Sequence, residues 1–169
     1  QRYCRTMINN AFPFRLFTSL LQNSGDLNFP HILKDLIKKR DLSEVSKLED
    51  FFSQELQQAS FETEGAIKYF LFLTKEALLT SLYRRDFPKF QHQLEIIRHR
   101  MQALRSLDTP NVSLSAWDQF FDMVEAAISR LVRHSAIEDF ESHISSLDWS
   151  TFDQHFIAQI SNIIGFIYL

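Results

Sequence analysis

Glycine is scarce in this chain, 3 residues in 169, beside 4 prolines and one cysteine. So few breakers exclude a β-rich fold of tight reversals, which needs Gly and Pro at its turns. A lone Cys4 excludes an internal disulfide and any zinc site built on several thiolates. With no signal-peptide pattern in the sequence, the expectation is an intracellular protein, cytoplasmic or nuclear. On that expectation the formal sequon Asn111-Val112-Ser113 carries no glycan. Neither sign of charge dominates. The net charge of −3 weighs against a dedicated nucleic-acid binder, which presents a strongly basic face. Three scattered glycines make no phosphate loop, and no serine sits in a nucleophile elbow. The C-terminal stretch from Phe156 to Leu169, mostly apolar, is about 14 residues and too short to span a bilayer.

What the chain has instead is apolar bulk. Hydrophobic residues make up 45% and phenylalanine alone occurs 17 times. A chain of this length buries roughly 70% of its unfolded surface, so a large core forms without staples. The apolar residues are spaced. One is followed at +3 and +7 by two more in Phe29/Ile32/Leu36, Phe87/Phe90/Leu94, Leu114/Trp117/Phe121, Ile137/Phe140/Ile144 and Trp149/Phe152/Phe156. Each set predicts a helix with one apolar face. The chain starts at Gln1 rather than Met and ends on Phe166-Ile167-Tyr168-Leu169. We therefore expect residues 1–169 to form a single helical domain from a longer protein.

Helices are expected at about 2–10, 13–22 and 30–39, with Pro13 and Pro30 in first turns. A helix to about Gln58 starts at a capping box of Ser46 and Glu49, or at Ser43. The next, about 62–83, is apolar on several sides and is expected to be central. Asp86 caps, and Pro88 opens, a helix to about Leu107. Asp108-Thr109-Pro110-Asn111 breaks the chain. Ser115 with Asp118, Ser135 with Glu138, and Ser150 with Asp153 then open helices at about 115–133, 135–146 and 150 to the end.

Three junctions look alike: Leu36 to Leu42, Leu82 to Phe87, and Leu131 to Ile137. Each has two apolar residues, a basic pair and a new apolar start, at intervals of about 45–50 residues, the size of a two-helix unit. The Arg84–Leu94 hairpin, with its acidic cap before an aromatic residue, resembles the turns of TPR-like and PCI-type helical repeats. The Trp-Leu-Gly-Tyr and Ala-Phe-Pro positions of a true TPR are absent. The resemblance covers one or two hairpins and implies a solenoid. The expected fold is thus all-α: seven to eight antiparallel helices in stacked hairpins, as a short α-solenoid or an irregular bundle.

Candidate chemistry is sparse. His92-Gln-Leu-Glu95 reverses the Glu-x-x-His of di-metal bundles and occurs once. Glu95/His99 and Asp139/His143 have the spacing of exposed helix pairs. No metal site, cofactor or catalytic group is expected, and the protein is read as a non-enzyme. Arg85-x6-His92 resembles the Arg–His pattern of the all-helical HEPN RNases. That resemblance implies His92 as acid or base and Arg85 as phosphoryl stabiliser. A basic helix end with a surface histidine explains the same residues.

Two surfaces stand out. Lys38, Lys39, Arg40, Arg84, Arg85 with Lys89, Arg98, Arg100 with Arg105, and Arg133 with Arg130 form a basic edge if the hairpins stack in register. That edge would suit phosphates or an acidic partner, though interleaved acids also make it an ordinary solvated edge. The last helix carries more apolar residues than one stripe needs. Trp149, Phe156, Ile160, Ile163, Ile164, Phe166 and Ile167 are the expected contact surface for another protein or the rest of a longer chain. The function expected is a protein–protein scaffold or adaptor domain in a larger complex. Nucleic-acid binding at the basic edge is the alternative.

Overall fold

A computed structural model describes residues 42–107 and 112–169. The three helices expected before residue 40, Cys4, Lys38, Lys39, Arg40, the breaker at 108–111 and the sequon asparagine lie outside the described residues. Within them the chain is all-helical, with no strand. The α-helices are α1 (Leu42–Gln58), α2 (Glu64–Arg84), α3 (Phe87–Arg105), α4 (Leu114–Arg133), α5 (Ile137–Ser145) and α6 (Gln154–Tyr168), with a 3-10 turn at Trp149–Thr151. No helix among the described residues is long and apolar enough to cross a membrane. The chain divides into two compact units, Gln1–Thr80 and Ser81–Leu169, with α2 running through the division.

In the first unit, α1 buries Leu48, Phe51, Phe52 and Leu56, an i, i+3, i+4, i+8 stripe on one face. It begins at Leu42, a full turn before Ser46, so Ser46 and Glu49 do not form its start. Glu49 is instead buried. Thr63 caps α2, its Oγ1 accepting the Ala66 N–H at 3.1 Å, and Phe61 lies edge-on to Phe70 at 5.0 Å. Farther along, α2 is buried without interruption from Glu76 to Leu82. A helix covered on all faces in this way matches its lack of a polar side.

The second unit is organised by α4, which contacts α3, α5 and α6. Its inner face buries Ala116, Trp117, Phe120, Phe121, Met123, Val124, Ala127 and Ile128. Each large side chain there contributes about 1.5–3 kcal/mol. Trp117 lies 5.9 Å from Phe120 and 4.8 Å from Phe156 of α6. Phe156 in turn meets Phe152 at 5.6 Å, and Phe152 meets Trp149 at 6.0 Å. The pairs of Trp117 with Phe120 and Phe156, and of Trp149 with Phe152, are edge-on, an arrangement that gains about 0.5–1.5 kcal/mol per pair beyond the buried area. Polar anchors complete the unit. Gln119 accepts the Asp148 N–H at 2.7 Å and donates to Thr151 Oγ1 at 3.1 Å, fixing the 3-10 turn against α4. Buried Ser81 donates to buried Gln93 at 2.7 Å, joining the end of α2 to α3.

The caps follow local rules except where a neighbour competes. Asp86 accepts the Lys89 N–H at 3.2 Å and Pro88 occupies the first turn of α3. Asp153 accepts the Phe156 N–H at 2.9 Å, so α6 starts there and not at Ser150, which belongs to the 3-10 turn. Ser113, not Ser115, caps α4, accepting from the Ala116 N–H at 3.3 Å. Asp118 is drawn to Arg105 across the α3–α4 contact. Nor does Ser135 cap α5, which has no side-chain cap. Its hydroxyl pairs with Ser129 at 2.7 Å and its carbonyl accepts from Arg130 at 2.8 Å.

Two of the three look-alike junctions share a backbone device. α2 ends at Arg84 and α4 at Arg133, and the next residues, Arg85 and His134, both have φ of 57°. At the first, the Asp86 N–H returns to the Ser81 carbonyl at 3.0 Å and the Arg85 N–H to Leu82 at 2.9 Å. This is the paired closure of a Schellman end, which favours Gly at its left-handed position. A left-handed L-residue costs about 1–2 kcal/mol. His134→Gly should therefore raise the unfolding midpoint in urea, by up to about 1 kcal/mol after the entropy of Gly is deducted. An unchanged or lower midpoint would show that the histidine side chain stabilises the junction.

Candidate functional site

The residues expected as a contact surface on α6 divide by face. Ile160 and Ile163 are fully buried, and Phe156 is half-buried within the aromatic chain to Trp117. These, with half-buried Ile167, share the inward stripe. Phe166 points elsewhere, edge-on to Tyr83 at 5.0 Å and 5.6 Å beneath the Arg85 guanidinium. Half-buried Ile164 lies with Ile157, Ser161 and Tyr168 on another stripe, about 100° round the helix from the inward one. There Ile157 is 38% and Tyr168 57% exposed, and Trp149 in the preceding turn is 40% exposed. Ile157 and Tyr168 belong to the apolar stretch of the sequence but not to the contact surface expected from it. A helix apolar on several sides gives no period by which to tell its outer stripe from its inner one.

The basic residues do not share one setting. Arg85 is exposed at the α2–α3 turn, and Arg84 precedes it, half-buried. Arg98 and Arg100 lie inside α3, two residues and so about 200° apart around its axis. Arg98 reaches Asp122 at 3.5 Å and Glu125 at 3.9 Å. Arg105 pairs with Asp118. The Arg133 guanidinium stands 4.1 Å over the Phe87 ring. Exposed pairs such as these add at most about 1 kcal/mol each, but they direct the charge of α3 toward α4.

His92 is exposed on α3, and Arg85, its counterpart in the nuclease-like spacing, stacks on Phe166. Among the described residues no group of three or more His, Cys, Asp or Glu side chains is placed to hold a metal ion.

Two features escaped the sequence reading. One is a groove of about 500 Å³ between the start of α3, the second half of α4, and α5. Asp122, Glu125 and Asp139 line it, with Arg133 at its rim over Phe87. Its acidity has a signal in the sequence: no Lys or Arg occurs from His134 to Leu169, while Glu138, Asp139, Glu141, Asp148 and Asp153 do. The other is Glu76, which is 1% exposed and whose Oε1 accepts no hydrogen bond. Burial raises its carboxyl from 4.5 to about 8, against a smaller lowering by Lys75, so it is protonated at neutral pH.

The chain matches no protein-family model, no curated protein and no solved structure.

A carboxyl whose pKa rises on folding holds its proton more tightly in the folded state. Its contribution to stability is complete below 4.5, falls between there and 8, and is lost above about 8. The slope is at most about 1.4 kcal/mol per pH unit for one group. Glu76→Gln keeps the shape without the charge. Urea midpoints should show the variant gaining on the parent chain from pH 5 to pH 8.5. A difference constant across that range would mean that Glu76 is ionised in the folded protein as in the unfolded one, so that folding does not raise its pKa.

Proposed function

We propose that this chain is a non-catalytic interaction domain of an intracellular protein, cytoplasmic or nuclear, which holds a protein partner, or another part of a longer chain, on the outer side of α6. One observation carries the reading: Ile157 and Tyr168 stand exposed along α6, and Trp149 in the preceding turn is exposed too, while Ile160 and Ile163 anchor the same helix inward. The anchored side supplies a rigid base. The exposed side supplies aromatic and branched apolar groups of the kind that dominate binding energy once desolvated. In this reading residues 1–169 act as one helical domain of stacked hairpins. The left-handed ends at Arg85 and His134, 49 residues apart in the numbering, support a repeated two-helix unit. No observation favours a nucleic-acid surface over this one, since Arg98 and Arg105 face carboxylates and Arg133 covers Phe87.

The test separates the outer stripe from the inner one. Affinity capture with the parent chain should retain a specific partner that Ile157→Glu/Tyr168→Glu loses, with the melting temperature within about 2 °C because both positions are exposed. Ile163→Glu, placed in the core, should instead unfold the second unit. Retention of every parent partner by the Ile157→Glu/Tyr168→Glu variant would overturn the reading.

A further inference from the structure

The acidic groove between α3, α4 and α5 has no α6 residue in its lining, and it meets α6 through Phe140, whose ring lies 6.5 Å from that of Tyr168; the variants that test the groove leave both rings unchanged. Its volume of about 500 Å³ falls in the range of built ligand sites, ~300–1,000 Å³. Phe90 and Phe140, both buried, form its floor. Of its carboxylates, Asp122 and Glu125 have side chains 61% and 53% exposed, so a partner can reach them, in competition with the Arg98 that pairs with both.

We propose that this groove docks an arginine-bearing segment of a partner protein. The groove's own neighbours show what its groups hold. The Arg98 guanidinium is drawn to Asp122 and Glu125, at 3.5 and 3.9 Å, and the Arg133 guanidinium lies on Phe87. Two kinds of guanidinium seat, a carboxylate pair and an aromatic face, are therefore present at its margin. Asp139, on the α5 wall, completes the set of three carboxylates against the single Arg133 among the lining residues. The surroundings reinforce the sign, since every Lys and Arg of the second unit precedes His134. An incoming arginine would lay its aliphatic stem along the phenylalanine floor and set its planar fork on Glu125 or Asp139. The same field would speed encounter with a cationic segment.

The probe is a fluorescein-labelled peptide alternating Arg and Ala, titrated by anisotropy against the full chain at about 50 mM and about 300 mM salt. A peptide alternating Glu and Ala is the control. The Arg peptide should bind, the Glu peptide should not, and added salt should weaken binding. Glu125→Gln/Asp139→Asn should weaken it at least about tenfold. Arg98→Met removes the cation that competes for Asp122 and Glu125, and should tighten binding about threefold. Arg105→Met makes the same change in net charge, but Arg105 pairs with Asp118, outside the groove. It should leave binding nearly unchanged. A gain on Arg98→Met cannot arise from misfolding. The proposal fails if the Arg peptide does not bind, if the Glu125→Gln/Asp139→Asn variant binds it as the parent does, or if Arg98→Met and Arg105→Met act alike.

Discussion

Trp117 of α4 against Phe156 of α6, 4.8 Å between ring centres, is the contact on which the second unit turns. On one side Trp117 is continuous with the buried face of α4, which also meets α3 and α5. On the other, Phe156 joins Phe152 and Trp149, so the 3-10 turn and α6 are held by one run of rings. Gln119, on the same stretch of α4, pins that turn through both ends of its amide. With the turn fixed, α6 has one rotation about its axis, and that rotation decides which of its apolar residues are inside. The exposed stripe is thus a consequence of the aromatic contact.

Charge is distributed with a comparable economy. Arg98 and Arg105 of α3 face acids of α4, and the chain beyond His134 is purely anionic in its Asp, Glu, Lys and Arg content. The guanidinium groups of Arg85 and Arg133 cover Phe166 and Phe87, stacking on aromatic faces beside helix ends that favour positive charge. In the first unit, Glu76 lies in a stretch buried on every side and stays protonated at neutral pH. Two outward features of the second unit follow: exposed Ile157 and Tyr168 on α6, and the carboxylates around the α3–α4–α5 groove.

Local signals were legible in the sequence, and signals decided by a neighbouring helix were not. Asp86 and Pro88 sit where their spacing predicts because each acts on its own helix within one turn, whereas Asp153 is itself the cap of α6 and not the partner of a cap at Ser150. Ser115 with Asp118 has capping-box spacing, but Arg105 on α3 claims the aspartate and Ser113 caps the helix instead. Ser135 reads as a cap, but Ser129 and Arg130 of the previous helix hold it first. In the same way Ile160 and Ile163 look as accessible as Ile157 from sequence alone. Only the Trp117–Phe156 contact chooses among the stripes of a helix apolar on several sides. The groove depends on α3, α4 and α5 coming together. Its sequence trace is the absence of Lys and Arg beyond Arg133.

The central claim is that the outer side of α6, with Trp149, is covered when the protein is in its working setting. Carbene footprinting of the full chain, in buffer and again in cell extract, measures this directly at side-chain level. Leu107, 42% exposed at the end of α3, serves as the internal reference. Trp149, Ile157 and Tyr168 should lose labelling in extract while Leu107 keeps it. Equal labelling of all four in both conditions would contradict the central claim.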